Sequence, residues 1–442
     1  MNRALLTCLM LVVPCVGQEY DLLLRGGHLI DAKSKTDALR DIAVKDGKIA
    51  AIEPSIAAAK ARKTIELKGL YVTPGLVDIH AHVYAGTNEP NSYAGDNSVY
   101  PDGITFRSGV TTVADAGSAG WRNYADFENR VIKKSRTRIL VFLNIVGNGM
   151  RGAKFENDLN DMDADLTAKA ALEHKDRVVG IKCAHYNGPE WTPVERAVQA
   201  GTKADIPVMI DFGTNHPESR PLSQLLMEKL RPGDIYTHAY SGLRGEVDDA
   251  GKPGAGMLEG RKRGVIFDVG HGGGSFLLRV AIPLTKAGFW PDSISTDLHI
   301  GSMNGAMKDM LNVATKFLAL GMPLPNVIAA STWNPAREIK REELGNLSVG
   351  APADVAVLRL EQGDFGLADH FGARLKTKQK LVCELTLRDG KVVWDLNAIS
   401  REDWDKLPSH YGPQGDTTWD GTISRASRSA ATSSQSTPIV KP

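Results

Sequence analysis

The stretch Val72-Thr-Pro-Gly-Leu-Val-Asp-Ile-His-Ala-His-Val83 is an apolar run that ends in two histidines one residue apart. In a β-strand, residues i and i+2 face the same side, so this spacing predicts that His80 and His82 project together from the C-terminal end of a strand running from Val72 to His82. Two imidazoles so placed can grip one metal ion, and a rigid strand loses little entropy when it binds one. Pro74-Gly75 sets a tight entry to the run, and Asp78 is placed to act as a carboxylate behind the ligands.

Working outward, apolar strand-like runs alternate with helical stretches such as Leu222 to Leu230 and Asn304 to Leu320. The further strand candidates are Gly109 to Ala116, Arg138 to Val146, Val178 to Ala184, Ile206 to Phe212, Asp234 to Tyr240, Val265 to Val269 and Ser293 to Leu298. With the first, these make eight buried runs rich in Val and Ile, which predicts an α/β chain folded as a (β/α)8 TIM barrel. Such barrels carry their active sites at the C-terminal strand ends. Those ends hold His80 and His82 on the first run, Lys182 on the fourth, Asp211 on the fifth, His238 on the sixth and Asp297 on the eighth. A lone buried lysine is usually a satisfied ion pair and a lone aspartate usually a cap; polar residues at one end of successive strands point to a site.

The two ends of the chain share another pattern. Tyr20 to Asp31 and Asp41 to Glu53, with Asp46-Gly47 as a hairpin turn, are matched by Ala353 to Leu358 and Leu381 to Trp394, with Asp389-Gly390 as the turn. They predict a small β-sandwich built from residues 18–70 and 341–400 beside a barrel at 71–340, followed by an extension at 401–442 that is disordered from about residue 412. Met1 to Gly17 reads as a signal peptide, with Arg3, an apolar core and small residues before Gln18, and implies a periplasmic or secreted protein. No other stretch is long and apolar enough to span a membrane. With 53 basic and 52 acidic residues among 442, the chain lacks an electrostatic footprint for nucleic acid. The expected partner is a small molecule, and composition leaves a homo-oligomer open. Cys183 and Cys383 are expected to be free buried thiols.

The run from Pro74 to His82 resembles the Pro-Gly-x-[Val/Ile]-Asp-x-His-x-His signature of the amidohydrolase superfamily, and Lys182, His238 and Asp297 match its later strand ends. Phe267-Asp-Val-Gly-His271-Gly and Ser295-Thr-Asp-Leu-His299 resemble the deacetylase-like, dihydroorotase-like branch. The resemblance implies hydrolysis of an amide or ester by a metal-activated hydroxide, with two divalent ions, zinc or else manganese. It implies that His80, His82 and Asp297 hold one ion, that a carboxylated Lys182 bridges to a second, and that Asp297 also moves the proton. An ammonium cannot ligate a cation, whereas a carbamate offers two anionic oxygens.

Asp211 departs from the resemblance, which has histidine there; a carboxylate can still ligate, and His216 stands just beyond. His271, Tyr186, His185 and His299, near strand ends, are candidates for substrate contact. Tyr84 stands where true dihydroorotases carry a substrate-binding arginine, which argues against dihydroorotate itself. A cyclic-amide hydrolase and a non-catalytic ligand-binding barrel are the competing readings. His271-Gly-Gly-Gly274 looks like a lipase oxyanion loop, but the chain has no Gly-x-Ser-x-Gly elbow. Gly147-Asn-Gly-Met-Arg-Gly152 fits a dinucleotide fingerprint, but acidic sequence follows where a phosphate-binding helix would open.

Overall fold

Gly75 is the point at which the chain leaves one sheet and enters another. The structure, a computed structural model, describes residues 17–211, 218–407 and 409; the expected signal segment up to residue 16, His216 and the tail from residue 412 lie outside the described residues. The N-terminal strands are β1 (Leu22–Asp31), β2 (Thr36–Lys45), β3 (Lys48–Glu53), β4 (Thr64–Glu66) and β5 (Tyr71–Pro74). β6 (Leu76–Ala81) follows directly, so the single strand expected from Val72 to His82 is two strands in two sheets. The cause is local. Pro74 has no N–H to continue a ladder. The Gly75 N–H is taken by the Asp354 carbonyl at 2.8 Å, and a Cβ at Gly75 would lie 2.3 Å from the Thr111 hydroxyl.

β6 opens a seven-stranded sheet with β7 (Val110–Gly120), β8 (Arg138–Asn144), β9 (Val178–Cys183), β10 (Val208–Ile210), β11 (Ile235–Tyr236) and β12 (Ile266–Phe267). Neighbours pair in chain order and all in parallel. One apolar cluster takes Val77, Ile79, Leu140, Phe142, Val179 and Met209, another takes Val113, Val141, Ile181 and Ile210, so the sheet is covered on both faces as parallel sheets must be.

The eighth run does not form a regular strand. Residues 293–298 make isolated parallel bridges, Ser293 with Asp268 on one side and Leu298 with Ala81 on the other. The His82 N–H donates to the Leu298 carbonyl at 2.8 Å and the Gly272 N–H to the Thr296 carbonyl at 2.9 Å. Asp297, at φ +49°, breaks the extended geometry that a full ladder needs. Two expected helices are also altered. The Leu222 to Leu230 stretch is one α-turn followed by a π-helical turn, and the Asn304 to Leu320 stretch becomes Met310–Ala319, because the Asp309 side chain caps it by accepting from the Asn312 N–H at 2.8 Å.

The chain ends in β13 (Val355–Ala368), β14 (Arg374–Arg388) and β15 (Lys391–Asp395). These join the N-terminal strands in one mixed sheet of order β15-β14-β13-β5-β1-β2-β3, with β4 also on β1. The expected β-sandwich is thus a single continuous sheet wrapped around one core, to which Leu24, Ile42 and Val72 contribute from one end of the chain and Val355, Leu385 and Leu387 from the other. Its two Asp-Gly turns meet: Ala353 donates to the Gly47 carbonyl and accepts from the Gly390 N–H. A Cβ on Gly390 would stand 3.0 Å from the Gly47 Cα, so close approach, besides positive φ, requires glycine there.

Candidate metal centre

β6 ends at Ala81, and the strand direction carries His80 and His82 to the same end as Asp297. One ligand atom from each of the three lies within 4.8 Å of the others. Nε2 of His82 is 3.1 Å and Nε2 of His80 3.6 Å from Asp297 Oδ1. A tetrahedron with metal–ligand bonds of about 2.0–2.1 Å has edges of about 3.3 Å, so this spacing fits one divalent ion. Direct charge-assisted hydrogen bonds would be closer, at about 2.8 Å.

Each histidine is held from behind. His80 Nδ1 stands 2.9 Å from the Thr237 hydroxyl, which donates to Asp268 at 2.7 Å and therefore accepts from His80. His82 Nδ1 stands 2.9 Å from the Ser118 hydroxyl, which is bonded in turn to Asp115. Both rings carry the proton on Nδ1 and turn the Nε2 lone pair inward, as metal-ligating histidines do. Burial, reinforced by the Lys182 charge, holds the His80 pKa well below its ordinary value. Burial opposes ionisation of Asp297, but the imidazoles of His80, His82 and His299 hold its carboxyl well below the usual carboxylate range. Asp78 acts differently from the expectation: it accepts from the Thr296 hydroxyl and N–H and from the His80 N–H, tying β6 to the segment that carries Asp297.

Lys182 is fully buried, and its Nζ has His80 Nε2 at 3.0 Å and the Met209 sulfur at 3.8 Å, with no ion pair among the described residues. Burial lowers its pKa, against the pull of Asp211 and Asp297. A buried amine whose pKa is lowered suits carboxylation, which needs the free base. Room exists for its stem because Gly117, at φ +89°, passes alongside; a Cβ there would be 2.6 Å from Lys182 Cγ.

The second half of the site gathers around Asp211. Its Oδ2 is 3.2 Å from His238 Nε2 and 3.4 Å from His185 Nε2. His238 Nδ1 donates to the Gly270 carbonyl at 2.5 Å, and His185 Nδ1 stands 2.6 Å from the buried Glu156 carboxylate. Burial alone would lower the His185 pKa, but its hydrogen bonds to Asp211 and Glu156 outweigh that and push it up to about 10. His185, His238 and Asp297 all occupy left-handed backbone, at φ of 59°, 60° and 49°. Such strain costs about 1–3 kcal/mol per residue and persists at functional sites that the surrounding fold over-determines.

These groups line a cavity of about 680 Å³ together with Tyr93, Glu156, Arg244 and Ser275. His185 and His299 are in its wall. His271 and Tyr186 are not among the lining residues. His271 is fully buried with Nδ1 on the Gly272 carbonyl and Nε2 on Lys316, and the Tyr186 hydroxyl is bonded to Glu190. Proximity to a strand end located both correctly but could not give the direction of either side chain. Tyr93, Glu156 and Arg244 were missed; Tyr93 and Arg244 sit in loops and Glu156 ends the one-turn helix Ala153–Glu156, all without a motif. Thr237 and Asp268 did have a signal, since one precedes His238 and the other lies in the Phe267 to Gly272 run. The lipase-like glycines lie against the site for a steric reason: a Cβ on Gly272 would be 2.3 Å from Asp297 Oδ2.

No protein-family model matches the chain. It is 35% identical over 346 residues to a deacetylase of Brucella anthropi, spanning 76% of this chain and 83% of that protein. It is 31% identical over 385 residues to a deacetylase of Enterococcus faecalis, spanning 85% and 99%. Among solved structures, an adenine deaminase superposes with a TM-score of 0.76 at 29% identity, covering 85% of this chain and 100% of that one. A dihydroorotase gives 0.72 at 29% identity, covering 85% and 99%. With the histidine pair, the buried lysine and the aspartate in place at the strand ends, these likenesses establish that the chain belongs to the amidohydrolase superfamily, as a hydrolase acting on carbon–nitrogen bonds.

Proposed function

We propose that this chain is an exported, metal-dependent deacetylase that removes an acyl group from a small molecule, working in a (β/α)8 barrel closed by residues 293–298 between β12 and β6. The observation that carries the reading is the His80, His82 and Asp297 trio, spaced for one ion, with His82 and Asp297 lining a cavity of about 680 Å³. A divalent ion bound there supplies Lewis acidity, polarising a carbonyl and bringing water ionisation to about neutral pH. Asp297, kept ionised, takes the proton of the attacking water and passes it to the leaving nitrogen or oxygen. Thr237 with Asp268 and Ser118 with Asp115 hold the two imidazoles in the tautomer that ligation needs. Lys182 as its carbamate, Asp211 and His238 are the residues that would hold a second ion, and His185 with Glu156 braces Asp211.

The relatives named deacetylase support acyl removal. Dihydroorotate chemistry is disfavoured, because the Tyr84 hydroxyl is bonded to Asp126 at 2.7 Å and the residue is not among those lining the cavity. A non-catalytic barrel would not be expected to keep every strand-end group. The same reading places the signal at 1–17, the sheet segments at 18–70 and 341–400, and the barrel at 71–340. The test is metal analysis of the purified protein followed by assay against N-acetyl and O-acetyl compounds. Protein free of metal, and inert after reconstitution with zinc or manganese, would end the proposal.

A further inference from the structure

The floor of the cavity presents a lone pair and negative charge: Nε2 of His82, and the carboxylates of Asp211, Asp297 and Glu156. Hydrolysis of a carbonyl compound needs the opposite as well, a hydrogen-bond donor aimed where the oxygen gains charge. Tyr93 lies on this wall. Its ring packs on His82 with centroids 4.2 Å apart, meets His299 edge-on at 5.2 Å and lies parallel to His185 at 5.8 Å. Both flanking residues are anchored to the Met150 carbonyl, Ser92 through its hydroxyl at 2.7 Å and Ala94 through its N–H at 3.0 Å, so the ring is held in place. Among the described residues the Tyr93 hydroxyl has no hydrogen-bond partner, although the buried tyrosines 236 and 240 both have one.

We propose that Tyr93 is a catalytic residue whose hydroxyl donates a hydrogen bond to the substrate's carbonyl oxygen as that oxygen becomes an oxyanion. The proposal rests on the hydrolase reading above. The proton stays on the phenol throughout: the bond tightens as the carbonyl π-pair moves to oxygen and relaxes when the carbonyl reforms and the leaving group departs. Burial, with the charges of Asp297, Asp211 and Glu156, holds the phenol above its ordinary value.

The experiment compares wild type with Tyr93→Phe, which keeps the ring against His82 and removes only the hydroxyl, in metal-loaded protein with phenyl acetate and 4-nitrophenyl acetate. The expected result is unchanged metal content, KM within about twofold, and kcat lower by about 100-fold for both esters alike. Equal kcat in the two proteins overturns the proposal. A loss confined to phenyl acetate, the poorer leaving group, overturns it in favour of proton donation to the leaving oxygen. Loss of metal in the variant makes Tyr93 a support for His82 and overturns it too. A metal-loaded wild type that hydrolyses neither ester removes the hydrolase reading along with the proposal, a result distinct from an active wild type with an equally active variant.

Discussion

Lys182 is the residue whose chemistry most constrains the site. A fully buried lysine without an ion pair among the described residues is costly to keep charged, although the nearby charges of Asp211 and Asp297 favour its cation. Lys182→Ala is expected to lose metal and activity together, with partial recovery on adding short carboxylic acids that can occupy the place of the carbamate; unchanged metal content by elemental analysis would take Lys182 out of the centre. Asp211 invites a second substitution pair. Asp211→Ala should lower the metal content from about two ions to one, while the ion at His80, His82 and Asp297 stays. Asp211→His should keep both and move the acidic limb of the rate profile to lower pH, because a neutral imidazole donates less charge than a carboxylate and leaves the bound water more acidic. A wild type with one ion, equally held by Asp211→Ala, would reduce Asp211 to a brace for His185.

Among the elements, the loop after β12 is the most sensitive. Gly272 sits at φ +54° with Asp297 Oδ2 where a Cβ would go, and Gly270 sits where a Cβ would strike the Thr237 hydroxyl at 2.2 Å and crowd Nδ1 of His238 and His80. Gly272→Ala should leave the fold intact by circular dichroism yet cost about 100-fold in kcat, since displacing a reacting group by about an ångström has that effect; full activity would mean Asp297 tolerates the shift. This loop also marks the limit of what the sequence discloses. Strand positions were legible because a strand buried on both faces must be apolar, and the His80, His82, Lys182, His238 and Asp297 set was legible because each closes such a run. The hydroxyl supports were not. Ser118 and His82 are 36 residues apart and Thr237 and His80 are 157 apart, brought together only by sheet register. The split of Val72 to His82 was hidden because both halves are apolar and the change of sheet turns on Pro74 and Gly75 alone.

The helix Met310–Ala319 ties the whole molecule together, with the mixed sheet on one side and the site loop on the other. Thr315 accepts from the Leu381 N–H of β14 at 3.2 Å, while the fully buried Lys316 donates to His271 Nε2 at 2.9 Å, the Ala306 carbonyl at 2.7 Å and Asn312 Oδ1 at 2.9 Å. Three acceptors satisfy the ammonium, but burial, with Lys308 adding to it, pulls the Lys316 pKa from 10.5 down to about 7. Between those two values the unfolded chain holds a proton that the native protein lacks, so raising the pH through that window stabilises the native state. Below about 7 both states are protonated and the full cost of burying the charge remains; above 10.5 neither is, and the cost is gone. Lys316→Met keeps the length of the side chain and removes the titration. The variant should be less stable than wild type at high pH, because His271, Ala306 and Asn312 lose their donor, by about 1–3 kcal/mol. Urea unfolding across the pH range should show this gap growing in favour of wild type from about pH 7 and levelling off near 10.5. A gap that does not change with pH would mean that Lys316 keeps its proton in the fold and that the junction between sheet, helix and site loop is built around a permanent ammonium.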